Sequence, residues 1–285
     1  MTLEGLLVVD KPQGMTSRAV VDRALRWFPR KTKLGHTGTL DPLASGVMVL
    51  CLGRATRLVE YVQRMSKSYH SIFTLGASSD TDDAEGTLRA VSSADPGEAA
   101  VRRELAKLVG TLHQVPPAYS AAHVEGRRAY ELARRGQEVQ LEARSVQVHA
   151  ITLLRYAYPE VEVEVECGKG TYIRSLARDL GTALGVGAYV SKLRRTRVGP
   201  FTPQQATPLD APCPTLLPSA LALADLPHAQ IAPTDVARLR QGQPVPLLVG
   251  LDADSAAIWA AGTLVAIGRI HDGRVYPDKV LLANE

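Results

Sequence analysis

Residues 159–167, PEVEVEVEC, alternate without a break, with Val161, Val163 and Val165 on one side of an extended chain and glutamates on the other. A strict period of two over this length means a strand with one buried and one wet face, the habit of antiparallel sheets. Four more strands can be read beside it. LLVVD (6–10) is a short apolar run that stops at the turn KPQG, and VMVLCLG (47–53) is apolar throughout and ends at Gly53. The third is KSYHSIFTL (67–75). AYVSKLRRTRVG (188–199) reads as a basic strand.

Helices are predicted between them. SRAVVDRALRWF, capped by Thr16 or Ser17, puts Val20, Val21, Ala24, Leu25 and Phe28 on one face. EAAVRRELAKLVG (98–110) is closed by Gly110. GKG breaks the alternating strand, and Thr171 then caps a helix with Ile173, Leu176, Ala177, Leu180 and Leu184 on one face. Strands interspersed with helices make the fold class α+β. SSDTDDAEG (78–86) is a polar turn.

The chain has 285 residues, 45% of them hydrophobic, enough for one large domain and a small one. Residues 202–228 carry 6 of its 18 prolines, which places a domain boundary there. The expected division is 1–228 and 229–285, the latter a small β-rich module too short for a nucleotide-binding α/β unit. Residues 114–146 read as an insertion of loop, short strand and short helix carrying Arg127, Arg128, Arg134 and Arg135.

Net charge is +4, unevenly spread: residues 1–70 hold 11 Lys and Arg against 5 Asp and Glu, whereas residues 201–285 hold 5 against 8. Either an ordinary solvated surface or a nucleic-acid face accounts for this. The three cysteines are far apart, with Cys51 and Cys167 in apolar strands, a usage that suits a reducing cytoplasm. No signal-peptide pattern opens the chain, and no apolar run reaches the ~18 residues of a membrane helix. GKGT lacks the rest of a phosphate-binding loop, DTDDAEG lacks the glycine and terminal glutamate of a calcium loop, and the seven histidines show no zinc spacing. There is no G-x-S-x-G elbow. Metal, nucleotide cofactor and conventional nucleophile all drop out of the expected chemistry.

What remains is GHTGTLDPLASGV (35–47), with one carboxylate, Asp41. Pro42 pushes Asp41 away from helical geometry, and Gly38 and Gly46 permit close approach by another chain. An Asp-Pro turn opener would look the same. Arg174 falls in the first turn of its predicted helix, where the dipole disfavours a cation by roughly 0.3–1 kcal/mol. It is therefore either splayed into water or paired with an anion. An arginine partner is needed for ionisation only by a desolvated carboxylate, so an Asp41–Arg174 pair implies a closed pocket.

GHTGTLDPLASGVMVLCLGRATRL resembles the active-site segment of the TruB family of tRNA pseudouridine synthases. DKPQGMTS, KSYH, SDTDDAEG, GKGTYIRSLARDLG and KLRRTRVGPF resemble its other motifs, in order, so that residues 5–200 are covered. About 230–285 is similar, more loosely, to a PUA-type RNA-binding domain. The resemblance implies a pseudouridine synthase domain with a mixed, largely antiparallel sheet and flanking helices. It implies isomerisation of the T-loop uridine of tRNA, position 55, with Asp41 catalytic, Arg174 its partner and Tyr69 stacked on the target base. It places Tyr172 and Leu193 around the uracil, His36 in the vacated T-loop, and Lys11 in a turn near the site. The arginines of 114–146 would bind phosphates. No cofactor, metal, membrane or obligatory protein partner is expected, and a cytoplasmic monomer is. A tRNA-folding chaperone and a guide-RNA-dependent subunit are the competing readings.

Overall fold

The computed structural model describes residues 3–120, 123–124, 127–129, 141–250 and 252–282. Its strands are β1 (Gly5–Lys11), β2 (Leu34–His36), β3 (Ser45–Leu52), β4 (Lys67–Leu75), β5 (Ala77–Ser79), β6 (Leu88–Ala90), β7 (Gly110–Gln114), β8 (His123–Val124), β9 (Arg127–Arg128), β10 (Arg144–Ala157), β11 (Glu160–Cys167) and β12 (Ala188–Val198). The C-terminal strands are β13 (His228–Gln230), β14 (Val245–Pro246), β15 (Ala253–Ala260), β16 (Thr263–His271) and β17 (Arg274–Val280). The α-helices are α1 (Ser17–Ala24), α2 (Val59–Arg64), α3 (Glu98–Lys107), α4 (Ile173–Ala183) and α5 (Val236–Arg240).

The main sheet runs β1-β3-β12-β4-β11-β10-β7, with β2 on β3. Every pairing is antiparallel except β3 with β12. This is the mixed, largely antiparallel sheet expected. The alternating strand behaves as its pattern requires. Val161, Val163 and Val165 are fully buried with Phe73, Leu176 and Leu180, while Glu162 meets His70 and Arg155, and Glu166 meets Arg197. The continuous apolar runs are buried on both faces. Leu6, Val8, Val47 and Val49 pack toward the C-terminal sheet through Ala257 and Ile267, and Leu7, Val9, Met48 and Leu50 pack under Val20, Val21 and Ala24 of α1.

Several boundaries differ from expectation. The first helix ends at Ala24 and tightens into a 3₁₀ turn, Leu25–Trp27. Gly110 does not close α3, which ends at Lys107; it opens β7 with φ +110°. Thr171 does not cap α4: its hydroxyl donates to the Gly168 carbonyl at 3.2 Å, and Tyr172 takes the cap position. The proline-rich stretch is no free linker, because Thr207 and Leu217 bridge to Val9 and Leu6 of β1.

The C-terminal sheet, β13-β15-β16-β17-β14, has its own core of Ile231, Leu239, Val245, Ile258, Val265 and Val275. Its basic residues are largely neutralised: Arg238 meets Asp235, Arg269 meets Asp278, and Lys279 meets Glu60 of α2. Among the described residues no helix is long and apolar enough to cross a membrane.

Candidate active site

Asp41 sits between β2 and β3 on a loop held from three sides. Ser17, buried at the start of α1, donates its hydroxyl to the Leu40 carbonyl at 2.9 Å and accepts the Leu40 N–H at 2.8 Å. Lys11, fully buried at the end of β1, donates to the carbonyls of Ala44 at 2.5 Å and Pro42 at 3.3 Å. Gly14 N–H donates to the Pro42 carbonyl at 2.8 Å, and Ala44 N–H closes a turn on the Asp41 carbonyl at 3.1 Å. The segment DKPQGMTS is thus a cradle for the Asp41 loop. Asp41-Pro42 does open a turn, and that turn presents the carboxylate.

The close approach that Gly46 permits is made by this chain's own β12. A Cβ there would lie 2.2 Å from the Arg195 carbonyl oxygen, and φ is +109°. At Gly38 a Cβ would meet only the Arg195 guanidinium, at an ordinary 3.5 Å.

Arg174 is buried in the first turn of α4, and its Nε stands 3.0 Å from Asp41 Oδ2. This contact is an ion pair rather than an aligned hydrogen bond. The other guanidinium nitrogens are bound: Nη1 donates to the Thr81 carbonyl at 2.7 Å and lies 3.3 Å from Asp83 Oδ2, and Nη2 donates to the Tyr119 carbonyl at 2.9 Å. The acidic segment 78–86, expected as a polar turn, carries a buried aspartate, Asp83, into the site. Burial pushes the Asp41 carboxyl above the ordinary carboxylate range; Arg174 opposes the rise, Asp83 adds to it and Lys11 opposes it.

The Asp41–Arg174 pair forms the wall between two cavities. The first, of about 580 Å³, is lined by Tyr69, Leu193, Tyr172, Lys67, Lys169 and Arg195 besides the pair. The second, of about 540 Å³, is lined by His36, Ser17, Arg18, Asp83, Glu85 and Tyr119. Cations dominate the first and carboxylates contribute more to the second. Tyr69 reaches the first cavity from β4, and burial pushes its hydroxyl pKa up. Leu193 and Arg195 face it because β12 bulges between Val190 and Lys192. Strict alternation from Val190 would have turned Lys192 and Arg194 inward; the extra residue resets the phase.

Asp41, Arg174, Tyr69, Tyr172 and Leu193 therefore meet at one cavity. His36, half-buried at the end of β2, lies in the other. Lys11 lines neither: its ammonium is spent on the backbone carbonyls of the Asp41 loop. Arg127 and Arg128 form β9, paired with β8, and Arg134 and Arg135 lie outside the described residues. Sequence reasoning missed Ser17, Asp83, Gln114 and Arg195. Arg195 is 3% exposed and donates from Nε to the Val47 carbonyl at 2.7 Å. Nothing in RRTR separates it from its half-buried neighbours; only the bulge does. Among the described residues no group of His, Cys, Asp and Glu could hold a metal ion.

The fold finds its match among solved structures. The chain aligns over 98% of its length with that in a Cbf5-Nop10-Gar1 complex, covering 85% of it at a TM-score of 0.74 and 27% identity. The corresponding chain of an H/ACA RNP bound to a substrate RNA containing 2′-deoxyuridine gives 0.73 and 26%, with 98% and 85% covered. The fold is that of the pseudouridine synthases. The model of the TruB family pseudouridylate synthase N-terminal domain matches residues 26–173, and that of the tRNA pseudouridylate synthase B C-terminal domain matches residues 174–211. This chain belongs to the TruB family. Curated relatives named tRNA pseudouridine synthase B include those of Cereibacter sphaeroides, 43% identical over 98% of this chain and 96% of the relative, and Rhodospirillum rubrum, 42% identical over 98% and 96%.

Proposed function

We propose that this chain isomerises uridine in tRNA to pseudouridine, acting on the T-loop uridine at position 55, with Asp41 as the catalytic group. The reaction breaks the C–N glycosidic bond, turns the base and forms a C–C bond; no atom is lost and no redox partner is needed. The observation that carries this reading is the Asp41–Arg174 ion pair at 3.0 Å in the wall of a cavity large enough for a nucleotide.

The uridine must leave its stack to enter, at a cost of a few kcal/mol. Tyr69 stacks on the base and returns ~1–3 kcal/mol. Leu193 and Tyr172 bound the uracil, and His36, in the second cavity, fills the space left in the T-loop. Arg174 opposes the rise that burial gives the Asp41 pKa and so favours the carboxylate, which acts either as nucleophile or as base toward the 2′ proton. Lys169, exposed where it lines the cavity, gives the mouth the sign that suits the nucleotide's phosphate.

Residues 1–228 form the catalytic domain, with the insertion 114–146 closing on RNA through Arg127, Arg128, Arg134 and Arg135. Residues 229–285 form a PUA-like module. Because its basic residues are largely paired with carboxylates, its share of phosphate contacts is small. In this reading the enzyme works as a monomer in the cytoplasm without a protein partner.

The test is incubation of the purified protein with an unmodified tRNA transcript, without partner or metal, and mapping of pseudouridine by position. One new pseudouridine in the T-loop, absent with Asp41→Asn, is expected. Tight tRNA binding without modification by the wild type overturns the reading in favour of a chaperone or a guided subunit.

A further inference from the structure

The stretch 114–120, which leads from β7 into the insertion, is bonded to the start of α4 at every turn. Gln114 is 2% exposed; its Oε1 accepts the Tyr172 N–H at 2.8 Å and its Nε2 donates to the Tyr172 carbonyl at 3.1 Å. One carboxamide thus closes on both backbone groups of one residue. The Val115 carbonyl accepts from Ser175 Oγ at 2.9 Å and from Arg178 Nη2 at 2.8 Å. The Tyr119 carbonyl accepts from Arg174 Nη2 at 2.9 Å.

The helix needs this support. Tyr172, at its cap, is extended (φ −101°, ψ 113°) and makes no side-chain cap bond. A helix start leaves backbone N–H groups without partners, and its dipole opposes a cation in the first turn. Arg174 sits there nonetheless. Its direction is set by what holds Tyr172 before it and by the carbonyls that meet its guanidinium.

We propose that Gln114 is a positioning residue: by clamping the Tyr172 backbone it seats Tyr172 and Arg174, and through it the root of the insertion is coupled to the Asp41–Arg174 pair. This rests on the reading of that pair as the reacting centre.

Gln114→Met keeps the volume and removes both hydrogen bonds. Its kcat on tRNA is expected to fall about 10- to 100-fold, with KM within a factor of about two. The charged groups facing Asp41 are Arg174 from α4, Asp83 and Glu85 from the acidic segment before β6, and Lys11 from β1. Of these, a displaced Arg174 moves the acid limb of the pH–rate profile to higher pH, which a loss of stability alone does not. Val148→Ala, a buried truncation in the same core, is the control that lowers the melting temperature and leaves the limb in place. If Gln114→Met does not fold, Gln114→Asn, a neutral carboxamide one methylene shorter that loses the double contact with Tyr172, is read by the same criteria. A wild-type kcat and acid limb in the Gln114 variant, or an equal shift of the limb in Val148→Ala, overturns the proposal. Full activity in Asp41→Asn overturns the underlying reading instead.

Discussion

Asp41 and Asp83 share one guanidinium, with Arg174 Nε 3.0 Å from the first and Nη1 3.3 Å from the second. Asp83 is almost wholly buried, while a third of the Asp41 side chain (34%) is open to the cavities. The buried aspartate anchors the arginine, and the other keeps a face open to the cavities. Asp83 also adds a like charge near Asp41.

The two partners of Asp41 should shift its titration in opposite senses. Removing the cation with Arg174→Met raises the Asp41 pKa further and moves the acid limb of kcat/KM to higher pH. Asp83→Asn removes a like charge and leaves the guanidinium to Asp41 alone, so the limb moves to lower pH, while kcat falls because Arg174 has lost an anchor. Parallel pH–rate profiles of the three proteins test this; shifts of the same sign in both variants contradict it.

Charge alone should not replace Arg174. Lysine keeps the cation but not the fork that reaches Asp41, Asp83 and two carbonyls together. Arg174→Lys is expected to lose about 100-fold in kcat while binding tRNA as the wild type does, measurable by single-turnover kinetics beside a filter-binding isotherm.

Lys11 gives a stability prediction. Burial lowers its pKa from 10.5 to about 8. Between those values the unfolded chain binds the extra proton, so this contribution to stability increases as pH rises from about 8 to 10.5. The difference in unfolding free energy between wild type and Lys11→Met should grow in favour of the wild type across that window. Denaturant titrations at several pH values would reveal it, and a constant difference would refute it.

Gly46 is where β3 and β12 touch, and an added Cβ would lie 2.2 Å from the Arg195 carbonyl oxygen. Gly46→Ala should cost about 3 kcal/mol or more and, by parting the strands, displace Arg195 and the Asp41 loop. Thermal unfolding and turnover should fall together; loss of activity with an unchanged melting temperature would mean that the strands had not parted.

Phosphate contact should show in salt dependence. The logarithm of tRNA affinity should fall linearly with the logarithm of salt concentration, by roughly 0.7–0.9 per contact. Lys169→Ala, at the mouth of the first cavity, should lower that slope by about 1.

Local patterning determined much of this protein by itself. The period of two at 159–167, the apolar runs at 6–10 and 47–53 and the helical stripe after Thr171 give strands and helices close to those observed, because burial of alternating or striped side chains needs only neighbours in sequence. Asp41 and Arg174 were legible for similar reasons: one lone carboxylate before a proline, and one cation where a helix dipole opposes it. The motif order carried Tyr69, Tyr172 and Leu193 to the same place.

Tertiary structure alone decided the rest. That Gly46 admits a strand of this chain, that Lys11 and Ser17 hold the Asp41 loop, and that Asp83 anchors Arg174 depend on contacts between segments distant in the chain. The bulge in β12 that turns Arg195 inward is a register event between strands and leaves no trace in the order of residues. Gln114 caps a helix 58 residues away, a service that only the folded chain can bring within hydrogen-bond reach.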